Sequence, residues 1–124
     1  MRCFEDLRIW QDARILVKEI YSITKDLKDF GFKDQLQRAA ISIMNNIAEG
    51  SDSGSNGLFI RYLQIAKGSC GEVKSMLYVC EDIKYLDSEQ ANELRIRVYN
   101  ISAAIQKLID YLKQTQKQQN NNNN

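Results

Sequence analysis

Arg38, Asn46, Glu49 and Glu72 sit near the apolar faces of two helical stretches, where half-buried polar and charged side chains need partners. Read as a site, Arg38 would contact a phosphate and Glu49 with Glu72 would bracket a metal ion. A metal would also need a histidine or a third convergent carboxylate, and the chain contains no histidine. The four residues therefore read as a hydrogen-bond network between helices. Cys3, Cys70 and Cys80, an odd number, read as reduced thiols. On a helix Cys70 and Cys80 would lie about 15 Å apart along the axis, too far to share a metal or a disulfide. No nucleophile has a base partner, so the chain reads as non-enzymatic, and no cofactor is expected.

The remaining chemistry is electrostatic. Lys67 and Lys74 stand one heptad apart on the flank of a helix, and Arg95, Arg97, Lys107 and Lys113 are spread along another. Neutralising phosphates releases counterions whatever the base sequence, so these six are the candidate nucleic-acid contacts. The alternative is a solvated charged face. The totals, 17 basic and 16 acidic side chains for a net charge of +1, exclude a strongly basic nucleic-acid footprint. Trp10, Tyr21, Tyr62 and Tyr78 have the spacing of core or interface residues and are not assigned to base stacking.

Four helices must position these groups. From about Leu7 to Lys28, Trp10, Ala13, Val17, Ile20, Thr24 and Leu27 share one face, flanked by Ile9, Leu16 and Ile23. Gly31 is placed to end this helix, with a second beginning near Lys33. The second helix turns Leu36, Ala39, Ala40, Ile43 and Ile47 inward, and Gly50 reads as the residue just past its end. A third places Phe59, Tyr62, Ala66, Ser69, Cys70, Val73, Leu77 and Cys80 on one face. Gly68 and Gly71 each weaken it by about 1 kcal/mol relative to alanine, which predicts a contact or ligand that leaves no room for a side chain. Asp87 or Ser88 caps the fourth.

The fourth helix carries Ala91, Leu94, Val98, Ile101, Ile105, Leu108 and Leu112 at alternating three and four residue steps. A second stripe, Ile96, Tyr99 and Ala103, runs along roughly its opposite side. That stripe, with Ile9, Leu16 and Ile23 of the first helix, is the predicted interface between copies of the chain. Short loops predict an all-α, antiparallel, up-down four-helix bundle over residues 1–115. Residues 116–124, rich in glutamine and asparagine, read as a disordered tail after the helix frays at Thr115. No stretch approaches the roughly 18 apolar residues of a membrane span, and no signal segment is evident, so the expected location is cytoplasmic.

The stretch Gln35–Gly50, QLQRAAISIMNNIAEG, resembles the signature of a bacterial family of small four-helix bundle proteins encoded by intervening sequences within 23S rRNA genes. Phe59–Ser69, FIRYLQIAKGS, followed by Glu72, is similar to the family's aromatic-x-x-x-Leu-x-x-Ala-x-Gly-Ser segment. Leu7, Trp10 and Ala13 agree with its first helix. The resemblance implies a cyclic homo-oligomer, a pentamer as in the related accessory proteins of diversity-generating retroelements, which bind nucleic acid and a reverse transcriptase. It thus implies a ring-forming scaffold whose partners are further copies of itself and structured RNA or a nucleic-acid-processing protein. A protein-interaction module without nucleic-acid affinity is the alternative. Two departures stand out. The loop Ser51–Gly57 carries a single charge, the negative Asp52, where many members are basic. Met44 stands where relatives often carry a helix proline.

Overall fold

Apolar residues at three and four residue steps produce four helices, and the computed structural model, which describes residues 3–122, is all-α with no strand among them. A single 3-10 turn, Phe4–Asp6, precedes α1 (Arg8–Thr24), α2 (Phe30–Asp52), α3 (Asn56–Asp82) and α4 (Ser88–Asn122). Leu16, Ile20, Leu36, Ile43, Ile47, Leu63, Leu77, Ile105 and Ile109 are fully buried and tie all four helices into one core. The predicted inward row of α2 is buried throughout. On α4 the row continues from Ile105 through Ile109 rather than Leu108, which is half-buried. A helix of 3.6 residues per turn drifts away from a strict seven-residue repeat, so the buried stripe advances by one position here.

Side-chain caps set the helix ends. Asp29 Oδ1 accepts from the Phe32 amide at 3.1 Å, so α2 begins at Phe30 and Gly31 lies in its first turn. This corrects the expectation that Gly31 ends a helix. The carbonyls at the end of α1 are instead covered by two side chains and one amide: Tyr85 Oη donates to Ile23 O, Leu27 N to Thr24 O at 3.0 Å, and Lys33 Nζ to Lys25 O at 3.2 Å. Asp87 caps α4 reciprocally with Gln90, accepting its amide at 2.8 Å while Gln90 Oε1 accepts the Asp87 amide at 3.3 Å.

Gly50 is not beyond the end of α2 but inside it, and buried. A Cβ there would lie 2.8 Å from Phe59 Cδ1 and 2.8 Å from Tyr62 Cβ, so the glycine lets α2 and α3 touch. The turn glycine is Gly54, at φ 76°, between Ser53, whose hydroxyl donates to Gly50 O at 2.7 Å, and Ser55, which accepts from the Leu58 amide at 3.2 Å. At the other end, α4 runs past Thr115 to Asn122, exposed from Lys117 on, and residues 123–124 of the expected tail lie outside the described residues.

Candidate functional site

The α3/α4 seam concentrates the cationic and aromatic side chains. Lys67 Nζ donates to Gln106 Oε1 at 2.7 Å, Lys74 Nζ lies 5.3 Å from the Tyr99 ring centroid, and the Arg95 guanidinium lies 4.0 Å from that of Tyr78. Between the two lysines runs a groove of about 270 Å³, lined by Lys67, Cys70, Gly71, Lys74, Tyr99 and Ser102 above Val98. Cys70 is buried there, and desolvation pushes its thiol up to about 12 against a smaller opposing pull from Lys67. Burial likewise raises the Cys80 thiol. Both sulfurs are therefore held as neutral thiols near pH 7.

Of the six candidate phosphate contacts, only Lys67 and Lys74 share a groove. Arg95 is corrected from a surface contact to a buried one, 8% exposed, with Nη2 donating to Glu81 Oε1 at 2.8 Å. Its position next to Leu94 turns the long side chain into the α3/α4 contact, where a guanidinium is neutralised by a carboxylate and covered by a ring. Arg97 is paired with Glu19 of α1. Lys107 and Lys113 are exposed and do not line the groove of Lys67 and Lys74.

The four polar residues do not form one network. Arg38, with its side chain 79% exposed, pairs with Asp34 at 2.8 Å within α2. Glu49 and Glu72 are also exposed, and Glu72 accepts from Gln35 Nε2 at 3.3 Å. Glu49 adjoins Gly50, which packs on Phe59 and Tyr62 near the start of α3, whereas Glu72 lies in its second half. Over the residues from Phe59 to Glu72 a helix rises about 20 Å, so no single ion bridges the two carboxylates. Asn46 joins a second interhelical contact, donating to Ser42 O at 2.8 Å and Ser42 Oγ at 3.0 Å, with Ser42 Oγ 2.9 Å from Ser69 Oγ. The sequence reading missed Ser42 and Gln35, although both lie inside the quoted Gln35–Gly50 stretch. Periodicity assigns each residue to a face of its own helix but cannot say which residue of the next helix it will meet.

The expected interface between copies is corrected in part. Ile9 and Leu16 belong to the core, at 7% and 0% exposure, and Ile23 is half-buried. α1 packs on both α2 and α4, so its apolar arc is consumed within the chain. Its outward apolar residue is Ile15, 50% exposed. On α4 the second stripe does face outward: Ile96 is 51% and Tyr99 60% exposed, with Ala103 half-buried. Ile15 and Ile96 line adjoining grooves that share Arg97 and Asn100. Tyr21 and Tyr78 are also partly exposed, at 43% and 50%, so the spacing of these two rings did not place them in the core.

Residues 5–107 match the family described as the 23S rRNA-intervening sequence protein. The chain belongs to that family. The chain also resembles, at 23% identity and a TM-score of 0.76, the crystal structure of a protein of unknown function from the S23 ribosomal protein family of Bacteroides thetaiotaomicron. The match covers 82% of this family member and 97% of the other chain. At that identity the likeness speaks to the fold. No curated protein matches.

Proposed function

We propose that this intervening-sequence protein is a non-catalytic, ring-forming scaffold of the cytoplasm, built from antiparallel up-down bundles that associate along their α1/α4 edges. Five copies per ring is the number that the resemblance implies. The antiparallel arrangement is supported by contacts that reverse in order: Gln35 with Glu72, Ser42 with Ser69 and Gly50 with Phe59 on α2 and α3, and Lys67 with Gln106, Lys74 with Tyr99 and Glu81 with Arg95 on α3 and α4. The observation that carries self-association is the outward pair Ile15 and Ile96, half exposed on either side of Arg97 and Asn100. Aliphatic side chains at such exposure on adjoining grooves gain by leaving water, about 25 cal/mol for each Å² covered. Arg97 and Glu19 beside them supply a polar rim.

Light scattering at micromolar concentration tests the assembly. The full chain should elute as a multimer, and Ile96→Glu should reduce it to a monomer of unchanged helicity. A wild-type chain that is monomeric under these conditions defeats the proposal.

As a scaffold, its second partner is structured RNA or a protein that processes nucleic acid. The RNA reading is favoured by Lys67 and Lys74, cations in a groove without a carboxylate. The protein-only reading is favoured by the α2–α3 corner, Ser51–Gly57, whose single charge is negative. Titration with ribosomal RNA fragments separates them, because phosphate contacts are strong at about 50 mM salt and weaken steeply as salt rises. Absence of binding at the low-salt end selects the protein-only reading.

A further inference from the structure

The five described grooves differ in charge. Four include at least one carboxylate: Asp12, the pair Asp34 and Glu49, the trio Glu81, Asp82 and Asp87, and Glu93. The fifth, between α3 and α4, is lined by Lys67 and Lys74 and by no acidic residue. Among the described residues neither lysine is in an ion pair: Lys67 is satisfied by the neutral Gln106 amide, and Lys74 by the face of Tyr99. Both residues are half-buried, with their stems packed along the seam and neither ammonium opposed by an anion in the groove. Between them, one turn from each, stands Gly71.

That glycine has no explanation within the chain. A Cβ built on it meets nothing within 4 Å, yet glycine in a helix interior is a weaker helix former than alanine. Gly71 lines the groove between the two lysines, so a large side chain there would project into it. The floor is apolar and neutral, Val98 with the buried Cys70 thiol, and Ser102 adds a hydroxyl donor on the α4 side. At about 270 Å³ the space is slightly below the roughly 300–1,000 Å³ of sites for drug-sized molecules. It suits a small, compact anion with several acceptor oxygens, able to draw both ammoniums and the hydroxyl onto itself.

We propose that the Lys67–Gly71–Lys74 groove is a binding site for a single phosphoryl group. The site lies within one chain and stands whether or not copies associate. The phosphoryl group has two sources, free phosphate or a phosphodiester of a single-stranded polynucleotide, and the same donors would hold either.

The test is a titration of the full chain with inorganic phosphate, followed through amide resonances at low ionic strength. Saturable shifts centred on Gly71, Tyr99 and Ser102 are expected. Lys67→Met and Lys74→Met should each weaken binding about tenfold, the effect of losing one charge-assisted hydrogen bond of about 1.4 kcal/mol. Gly71→Leu, which keeps both charges but fills the groove and raises helix propensity, should abolish it, whereas Lys107→Met should leave it unchanged. Thermal unfolding of each variant verifies folding. A mixed-sequence oligonucleotide that binds more tightly than phosphate through the same residues assigns the polymer as source, and equal affinity assigns the free ion. Non-saturating shifts, or binding that survives Gly71→Leu, overturn the site in favour of diffuse surface attraction. Each of these outcomes is independent of whether Ile96→Glu dissolves the assembly.

Discussion

Arg95 of α4 is held against Glu81 of α3 by a 2.8 Å hydrogen bond, with the guanidinium lying 4.0 Å from the centre of the Tyr78 ring and its Nη1 buried without a hydrogen-bond partner among the described residues. The pair is asymmetric, since the Arg95 side chain is 10% exposed and that of Glu81 29%. Removing the carboxylate leaves a buried charge uncompensated, while removing the guanidinium returns Glu81 to water. Glu81→Ala should therefore cost about 2 to 3 kcal/mol, toward the low end for a buried pair because Glu81 is partly solvated, and Arg95→Met clearly less. Urea unfolding midpoints of the two variants measure the difference, and the reverse order would contradict this account.

Two helical glycines should respond oppositely to the same change. Gly50→Ala brings a methyl to 2.8 Å from both Phe59 Cδ1 and Tyr62 Cβ, and the latter, close to the α3 backbone, cannot swing away. The helices must separate, at a cost of about 1–3 kcal/mol. Gly68→Ala meets nothing within 4 Å and should stabilise by up to about 1 kcal/mol through helix propensity alone. Thermal unfolding of both variants supplies the comparison.

These glycines show where sequence reading stops. A spacing of three and four residues is a property of one helix, so the inward row of α2 and most of that of α4 could be read directly. The close approach at Gly50 belongs to α2 and α3 together, and glycine looks the same in a cap, a turn or a contact. On α1, apolar residues spread around so much of the circumference that periodicity could not tell the buried Leu16 from the outward Ile15. Arg95 was misplaced because a long side chain next to the seam can fold inward once Glu81, in the preceding helix, offers a partner. Lys67 and Lys74 were legible as a pair because heptad spacing puts them on one flank. The groove between them was not, since its far wall is Tyr99 and Ser102 of α4.

The thiols should titrate unequally. Cys3 is exposed, whereas Cys70 and Cys80 are 1% and 0% exposed with raised thiol pKa values. A disulfide reagent near pH 8 should modify one thiol rapidly in the native chain and all three in denaturant. The same burial links Cys70 to stability. Below its ordinary value of 9.0 the thiol is protonated in both states, and from there to about 12 only the unfolded chain releases the proton. Stability should consequently fall as pH rises through that window, and Cys70→Ala should flatten the fall relative to wild type in paired urea titrations.

Tyr85 closes the end of α1 from a distance in sequence. Its hydroxyl donates to Ile23 O, one of the carbonyls that a helix C-terminus leaves without an intrahelical donor. No glycine cap follows: Lys25 continues in the right-handed helical region, the Leu27 amide covers Thr24 O at 3.0 Å, and Lys33 Nζ donates to Lys25 O. The turn between α3 and α4 thus anchors the far end of α1, and Lys84, at φ 60°, shapes that turn. Tyr85→Phe keeps the ring and deletes only the donor, leaving a half-buried carbonyl to find water. It should cost about 1 kcal/mol overall. Amide hydrogen exchange should rise selectively in the last turn of α1, with α3 unchanged. Equal acceleration throughout the chain would mean that the bond supports global stability alone and does not hold this terminus in place.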